Sequence, residues 1–489
     1  MNIFWVTSEA VPFAKTGGLA DVSGALPEAL AARGHNVSIF MPWYPQQTGR
    51  LDLKFSGRRD LFPVPSGSGT EWAAIRVLQV RKNLTVYFLE FNKYFDRPRL
   101  YDWGGREYDD NAERFIFFSR AAMEAADRLD LKPDILHAND WHAALCCVYL
   151  KSGLYADRET FRNCRSVLTI HNIGYQGIFP KKKLPYTGLG WEYFNYTCLE
   201  FYDSLNFLKG GIMTADMVNA VSPTYAGEIL SSDYSFALEA SLRSRAGQGR
   251  LRGILNGIDT GVWNPGKDRL LPKTFSPENM KGKNACRAAL QTEFGLPLRE
   301  DAPLFGVISR LAWQKGLDVY AAAMEELLAT DDFQFVLFGS GEKYLEDWFQ
   351  YLADRHPEKF AFFRGYASDR LTHLLEAGCD FFVMPSRYEP CGLNQMYSMR
   401  YGTLPIVRHT GGLADTVENY NYRNAETATG FVFWDLYPSA LVNTMRWAAA
   451  VRAESPSVFR AMRKNAMSAD FSWDRTASEY ERLYRDAHS

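Results

Sequence analysis

Lys15-Thr16-Gly17-Gly18 follows a short apolar run and precedes a helical one, and that setting gives four ordinary residues a chemical use. Glycines at a strand-to-helix turn let backbone N–H groups approach a phosphate. The N-terminus of the next helix favours an anion, and Lys15 adds a positive charge. A turn with an exposed lysine has the same composition, so the tetrapeptide alone does not decide. Gly411-Gly412 and Gly339-Ser340-Gly341 are two further glycine turns that read as following strands. Arg310 and Lys315 form a cation pair able to neutralise a diphosphate leaving group without a metal. Stabilising charge as it develops is often the largest catalytic effect. In Glu389-Pro390-Cys391-Gly392-Leu393 the carboxylate suits sugar hydroxyls, and the N–H groups of Cys391, Gly392 and Leu393 can open a helix toward phosphate. Cys391 as a nucleophile has no base placed beside it, and burial as a small hydrophobe is the commoner role. Asp140-Trp141-His142 and His171-Asn172, with His137, invite a zinc reading. The His137–His142 spacing fits no common structural zinc site, so polar contacts to a sugar, with His171 neutral, are the better use. No metal is assigned.

These residues need elements to hold them. Asn2 to Ser8 reads as a buried strand, Leu19 to Arg33 as a helix closed by Gly34, and Val37 to Met41 as the next strand. Pro27 is expected to kink that helix or to mark where its main body starts. The alternation continues with strands at 84–89, 134–138, 166–170 and 217–221, the last three running into Asn139-Asp140, His171-Asn172 and Ser222-Pro223. A second series of strands begins after residue 255, at 304–308, 333–338, 360–364, 380–384 and 404–407. Polar residues recur just after strand ends, where open parallel sheets bind ligands. The expectation is α/β: two Rossmann-like domains facing each other across a deep cleft, with the boundary near Leu251 to Asp259. The domains are set at 1–252, with a C-terminal helix about 468–489 packing back on the first, and 253–467.

Composition narrows the class. At 489 residues the chain is too long for one ordinary core. Hydrophobic residues at 46% and charged residues at 23% are a globular balance, and a net charge of −2 leaves no electrostatic footprint for nucleic acid or anionic membrane. Seven cysteines without a C-x-x-C pair argue for free thiols in a reducing compartment. No signal peptide opens the chain and no apolar run approaches the ~20 residues of a membrane helix, so a cytoplasmic enzyme is expected. Neither half carries G-x-G-x-x-G, a P-loop or H-E-x-x-H, which weakens nicotinamide, ATPase and zinc-protease readings. No signal speaks to oligomeric state.

Seven stretches together resemble the bacterial glycogen synthases and plant starch synthases, glycosyltransferase family 5 of the GT-B fold. They are SEAVPFAKTGGLADV (Ser8 to Val22), HANDWHA (His137 to Ala143), LTIHNIGYQG (Leu168 to Gly177), ILNGIDTGVWNP (Ile254 to Pro265), SRLAWQKGLD (Ser309 to Asp318), PSRYEPCGLNQMY (Pro385 to Tyr397) and GTLPIVRHTGGLADTV (Gly402 to Val417). They span nearly the whole chain in family order. The resemblance implies transfer of glucose from ADP-glucose to the non-reducing 4-hydroxyl of an α-1,4-glucan, with retention and no cofactor. It implies Lys15, Gly17, Gly18 and Asp21 near the donor diphosphate or sugar, and Arg310 and Lys315 on the diphosphate. It sets Glu389, Cys391, Gly392 and Leu393 around the glucose, Asp140 and His171 toward the reacting sugar, Asn256 at the cleft and Tyr366 on the base. Many GT-B relatives carry a second glutamate eight residues after the first. Tyr397 stands there in this chain, as in the synthase family, so no carboxylate clamp on the ribose is expected.

No second carboxylate is placed by sequence opposite Glu389, so front-face transfer is expected, the departing diphosphate taking the acceptor's proton. An α-glucan phosphorylase, which needs a Schiff-base lysine for pyridoxal phosphate, is the alternative enzyme. Another is a sucrose-synthase-like transferase with glutamate at position 397. A non-catalytic glycan-binding protein would have no reason to keep Lys15, Arg310, Lys315 and Glu389 together.

Overall fold

A computed structural model describes residues 1–67 and 69–489. The chain forms two compact units, Met1–Gly257 with Trp473–Ser489, and Ile258–Ser472. The first boundary falls later than 252 because residues past the strand Leu251–Gly253 stay hydrogen-bonded to the first unit. Ile254 N–H donates to the Ala220 carbonyl at 2.9 Å, and the Thr476 hydroxyl donates to the Leu255 carbonyl at 3.0 Å. The return falls at Trp473 rather than near 468, because Ile258 N–H donates to Phe471 O at 2.8 Å and Ile258 bridges Ser472.

The first unit is built on a nine-stranded sheet. Its edge-to-edge order is Leu251–Gly253, Met217–Ala220, Arg165–Ile170, Ile135–Asn139, Asn2–Val6, Asn36–Pro42, Leu84–Glu90, Gly69–Arg81 and Ser56–Ser66. The first seven of these pair in parallel, and the last two join as an antiparallel hairpin. Asn2–Val6, Ile135–Asn139 and Met217–Ala220 are buried at nearly every position, the pattern of parallel strands covered on both faces. In chain order the parallel strands lie 3-2-1-4-5-6-7, so the winding direction reverses between Asn2–Val6 and Ile135–Asn139.

The second unit has a six-stranded parallel sheet in the order Phe360–Arg364, Gln334–Gly341, Leu304–Leu311, Phe381–Met384, Leu404–Arg408 and Phe431–Phe433. Its chain order is 3-2-1-4-5-6, the doubly wound arrangement, with the reversal between Leu304–Leu311 and Phe381–Met384.

Two local expectations change. The helix Gly18–Ala32 runs through Pro27, so the proline does not mark its start; Gly34 at φ 94° closes it. His35 N–H reaches Leu30 O at 3.2 Å and Gly34 N–H reaches Ala31 O at 3.0 Å, a Schellman closure. Gly339-Ser340-Gly341 is not a turn but the end of a strand, in register with Ser309–Leu311, and a Cβ on Gly339 would overlap the Ser309 carbonyl. The antiparallel strands Ser56–Ser66 and Gly69–Arg81 were not read from sequence.

The last helix, Trp473–His488, buries Trp473, Thr476, Ala477, Tyr480, Leu483, Tyr484 and Ala487, a three-and-four spacing that makes one apolar face. Burial of each large side chain there contributes roughly 1.5–3 kcal/mol. The Tyr484 hydroxyl shares a 2.8 Å hydrogen bond with His137 Nδ1, and Asn219 Nδ2 donates to the Tyr480 hydroxyl at 2.9 Å. Arg33 pairs with Glu481 at 2.9 Å and Asp474 at 2.8 Å, completing the dock.

Candidate active site

In an open parallel sheet a ligand is expected beyond the carboxyl ends of the strands where the winding reverses. Lys15 and Asp140 in the first unit and Arg310 and Glu389 in the second come after or at the ends of the strands flanking that point, whereas His171, Asn256 and Tyr366 follow strands farther along their sheets.

In the first unit, Asn2–Val6 runs on into the buried Thr7, Ser8 and Glu9. Glu9 was not singled out by sequence, yet it organises the glycine turn. Its carboxylate accepts from the Thr16 N–H, the Thr16 hydroxyl at 2.8 Å, the Gly17 N–H at 3.3 Å and the Tyr101 hydroxyl at 2.9 Å. Two N–H groups expected to face a phosphate are therefore already satisfied by protein. Lys15 Nζ pairs with Asp21 at 2.7 Å and is half exposed. Gly17 sits in extended backbone at φ −154°, and a Cβ added there meets nothing within 4 Å. Neither strain nor packing within the chain requires that glycine; its missing side chain leaves room for a group from outside. Gly18 opens the helix.

Asp140 is the first residue after Ile135–Asn139 and adopts φ 52°, a left-handed conformation that costs a non-glycine residue energy. That turn aims its carboxylate at the next strand's end. Oδ1 accepts from the His171 N–H at 2.7 Å and from the Asn172 N–H at 3.4 Å. Burial raises the Asp140 carboxyl to about 7, the two N–H donors oppose the rise, and the Glu9 charge adds to it. Burial lowers His171 to about 3 and His137 and His142 well below their ordinary range, so these imidazoles are neutral near neutral pH. His142 stacks on Tyr101 at 4.6 Å rather than reaching outward. Asn256, also in this unit, is buried, and its Oδ1 has no hydrogen-bond partner among the described residues. An unmatched buried acceptor of this kind calls for a donor from elsewhere.

In the second unit, Arg310 lies exposed at the end of Leu304–Leu311, and Lys315 follows in a short 3₁₀ turn. Lys315 is not a bare cation: its Nζ lies 2.6 Å from Glu389 Oε2. Ser386, which sequence reading passed over, donates its hydroxyl to the same oxygen at 2.9 Å. Glu389 is buried, and these two donors replace the water its Oε2 would otherwise meet. The loop carrying it is locked by Gly411-Gly412. Gly411 has φ 43°, a Cβ there would overlap the Glu389 carbonyl oxygen, and one on Gly412 would overlap that of Cys391. Gly412 N–H donates to Glu389 O at 3.1 Å. This glycine pair serves loop-to-loop packing before any phosphate. Cys391 is buried and Gly392 takes φ 71°, with Leu393 at the start of the following helix. Tyr366 stands 81% exposed after Phe360–Arg364, its ring open to a planar partner. Tyr397 stacks at 3.7 Å on Trp263, whose ring also stacks on His373 at 4.2 Å. All seven cysteines are free and buried. Among the described residues no three His, Cys, Asp or Glu side chains could hold a metal ion, and no helix is long and apolar enough to cross a membrane.

Two doubly wound units with polar residues at each reversal constitute the GT-B architecture of glycosyltransferases. The starch synthase catalytic domain model matches residues 2–244, and the glycosyl transferases group 1 model matches residues 291–465. A glycogen synthase of Anaeromyxobacter dehalogenans is 46% identical over 99% of both chains, and glycogen synthase 1 of Geobacter sulfurreducens is 43% identical over 99% of this chain and 96% of its own. The catalytic domain of starch synthase IV from Arabidopsis thaliana, solved with ADP and acarbose bound, superposes with a TM-score of 0.90 at 31% identity over 99% of both chains. A sucrose-phosphate synthase from Thermosynechococcus elongatus shares the fold at 18% identity and a TM-score of 0.58. The chain belongs to the glycogen and starch synthase family and is a glucosyltransferase.

Proposed function

We propose that this enzyme transfers glucose from ADP-glucose to the non-reducing 4-hydroxyl of an α-1,4-glucan, keeps the α configuration and releases ADP. The observation that carries this reading is likeness over the full length to a starch synthase holding ADP and acarbose. The residues at the two reversals have the chemistry the reaction asks for. In the second unit, Arg310 and Lys315 neutralise the diphosphate as its bond to the anomeric carbon breaks. Glu389 binds Lys315 and Ser386 through Oε2, which leaves Oε1 to accept from sugar hydroxyls. Tyr366 offers a face to the base. In the first unit, Lys15 approaches the donor beside the open space at Gly17, Asn256 accepts from a substrate donor, and ionised Asp140 stabilises positive charge on the sugar.

Glu389 is held in an ion pair, which suits orientation better than attack on carbon. In the step that follows, the acceptor oxygen bonds to the anomeric carbon on the face the diphosphate leaves. The acceptor's proton passes to the departing phosphate oxygen. No bound cofactor takes part. Buried free thiols fit work in the reducing cytoplasm.

A donor panel tests the reading. Glycogen-dependent release of nucleoside diphosphate should be faster from ADP-glucose than from UDP-glucose at equal concentration. Preference for UDP-glucose, or release that is independent of glycogen, would overturn it.

A further inference from the structure

His171 can carry its proton on either ring nitrogen, and the hydrogen-bond chain around it selects one. Asn139 is the last residue of Ile135–Asn139, wholly buried beside the first strand. Its Nδ2 lies 3.1 Å from the Val6 carbonyl oxygen. A carbonyl accepts only, so the amide nitrogen must face Val6 and the amide oxygen must face the other way. That oxygen, Oδ1, lies 3.0 Å from His171 Nε2. An amide oxygen also accepts only, so Nε2 must hold the hydrogen. A neutral imidazole has one N–H, which leaves Nδ1 with a lone pair. Among the described residues Nδ1 has no hydrogen-bond partner.

We propose that Asn139 is a positioning residue that fixes His171 as the Nε2–H tautomer, so that Nδ1 accepts a hydroxyl hydrogen of the transferred sugar. The sugar half of this statement rests on the reading that His171 faces the sugar; the tautomer half rests on the hydrogen-bond geometry of a buried, neutral ring. The consequence is a selection by hydrogen-bond direction. A lone pair at Nδ1 welcomes an O–H and repels a phosphate oxygen, so His171 discriminates the sugar end of the donor from its diphosphate end. Burial, which keeps the ring neutral, preserves that polarity across the working pH range.

The test is nitrogen NMR of the full chain with ring-labelled histidine, the His171 signals being assigned by difference against His171→Ala. The wild type should show a pyrrole-type signal for Nε2 and a pyridine-type signal for Nδ1. A proton on Nδ1 would overturn the proposal, and this spectrum needs no variant at 139 to fold. In Asn139→Leu the two signals should move toward averaged values; an unchanged pattern would show that Asn139 does not set the tautomer. A parallel assay of transfer to glycogen should find kcat reduced about tenfold in Asn139→Leu and at least as much in His171→Ala, with glucan KM little changed. Full activity in His171→Ala beside the expected wild-type spectrum would remove the sugar half and leave the tautomer assignment standing.

Discussion

Asp140 and Glu9 share one end of the first sheet, and their burial makes protonation part of the chemistry. Asp140 is raised to about 7, so between the ordinary carboxylate range and that value the native chain binds a proton the unfolded chain has lost. Stability from this group therefore falls as pH rises across that window. Activity runs the other way, because only the carboxylate can stabilise a cationic sugar. Turnover is expected to rise with pH through about 7, and Asp140→Asn should lose that limb and fall by about 100-fold. A limb that survives in Asp140→Asn belongs to another group. For the second unit, Arg310→Ala and Lys315→Ala should each cut kcat by about 100-fold while leaving glucan affinity nearly unchanged. Unchanged turnover in both would remove diphosphate stabilisation from the account. Lys15→Ala and Glu9→Gln should both raise donor KM more than glucan KM, Glu9→Gln because an amide cannot accept from all four of its present donors. Lys15, Asp140, Arg310 and Glu389 were readable because each follows a strand end in a family stretch. Glu9, Asn139 and Ser386 were not, because their roles are hydrogen bonds through space to Thr16, His171 and Glu389.

Strand and helix positions were mostly legible for the parallel cores, since a buried parallel strand is an uninterrupted apolar run. What sequence could not show was why the glycines are glycines. Gly339 and Gly341 read as a phosphate turn but finish a strand, pressed against Ser309 and Leu311. Gly411-Gly412 likewise presses on the Glu389 loop, whereas a Cβ at Gly17 would touch nothing. Only the atoms around a glycine separate these cases. Gly412→Ala should therefore lower stability by about 1–3 kcal/mol, seen as a lower denaturant midpoint, and disturb Glu389 with it. Gly17→Ala should leave the midpoint unchanged and impair donor use. Equal midpoints for both variants would contradict this division. The strands Ser56–Ser66 and Gly69–Arg81 escaped reading because they add an antiparallel edge to a parallel sheet and the first carries two prolines, Pro63 and Pro65.

At the scale of the chain, two units share the same winding and each carries candidate residues beside its reversal, and the last helix belongs to the first unit although it follows the second in sequence. Tyr484 and Tyr480 tie that helix to His137 and Asn219, on strands flanking the one that leads into His171. Tyr484→Phe is expected to lower stability by about 1 kcal/mol in denaturant unfolding. The enzyme is expected to build glucan from a nucleotide sugar. The direct measurement follows labelled glucose from ADP-glucose into glycogen alongside ADP release, in the wild type and in Glu389→Ala. One ADP per glucose incorporated through a new α-1,4 bond is expected, with both processes depressed by about 100-fold or more in Glu389→Ala. ADP released without incorporation, or a Glu389→Ala enzyme as active as the wild type, would contradict it.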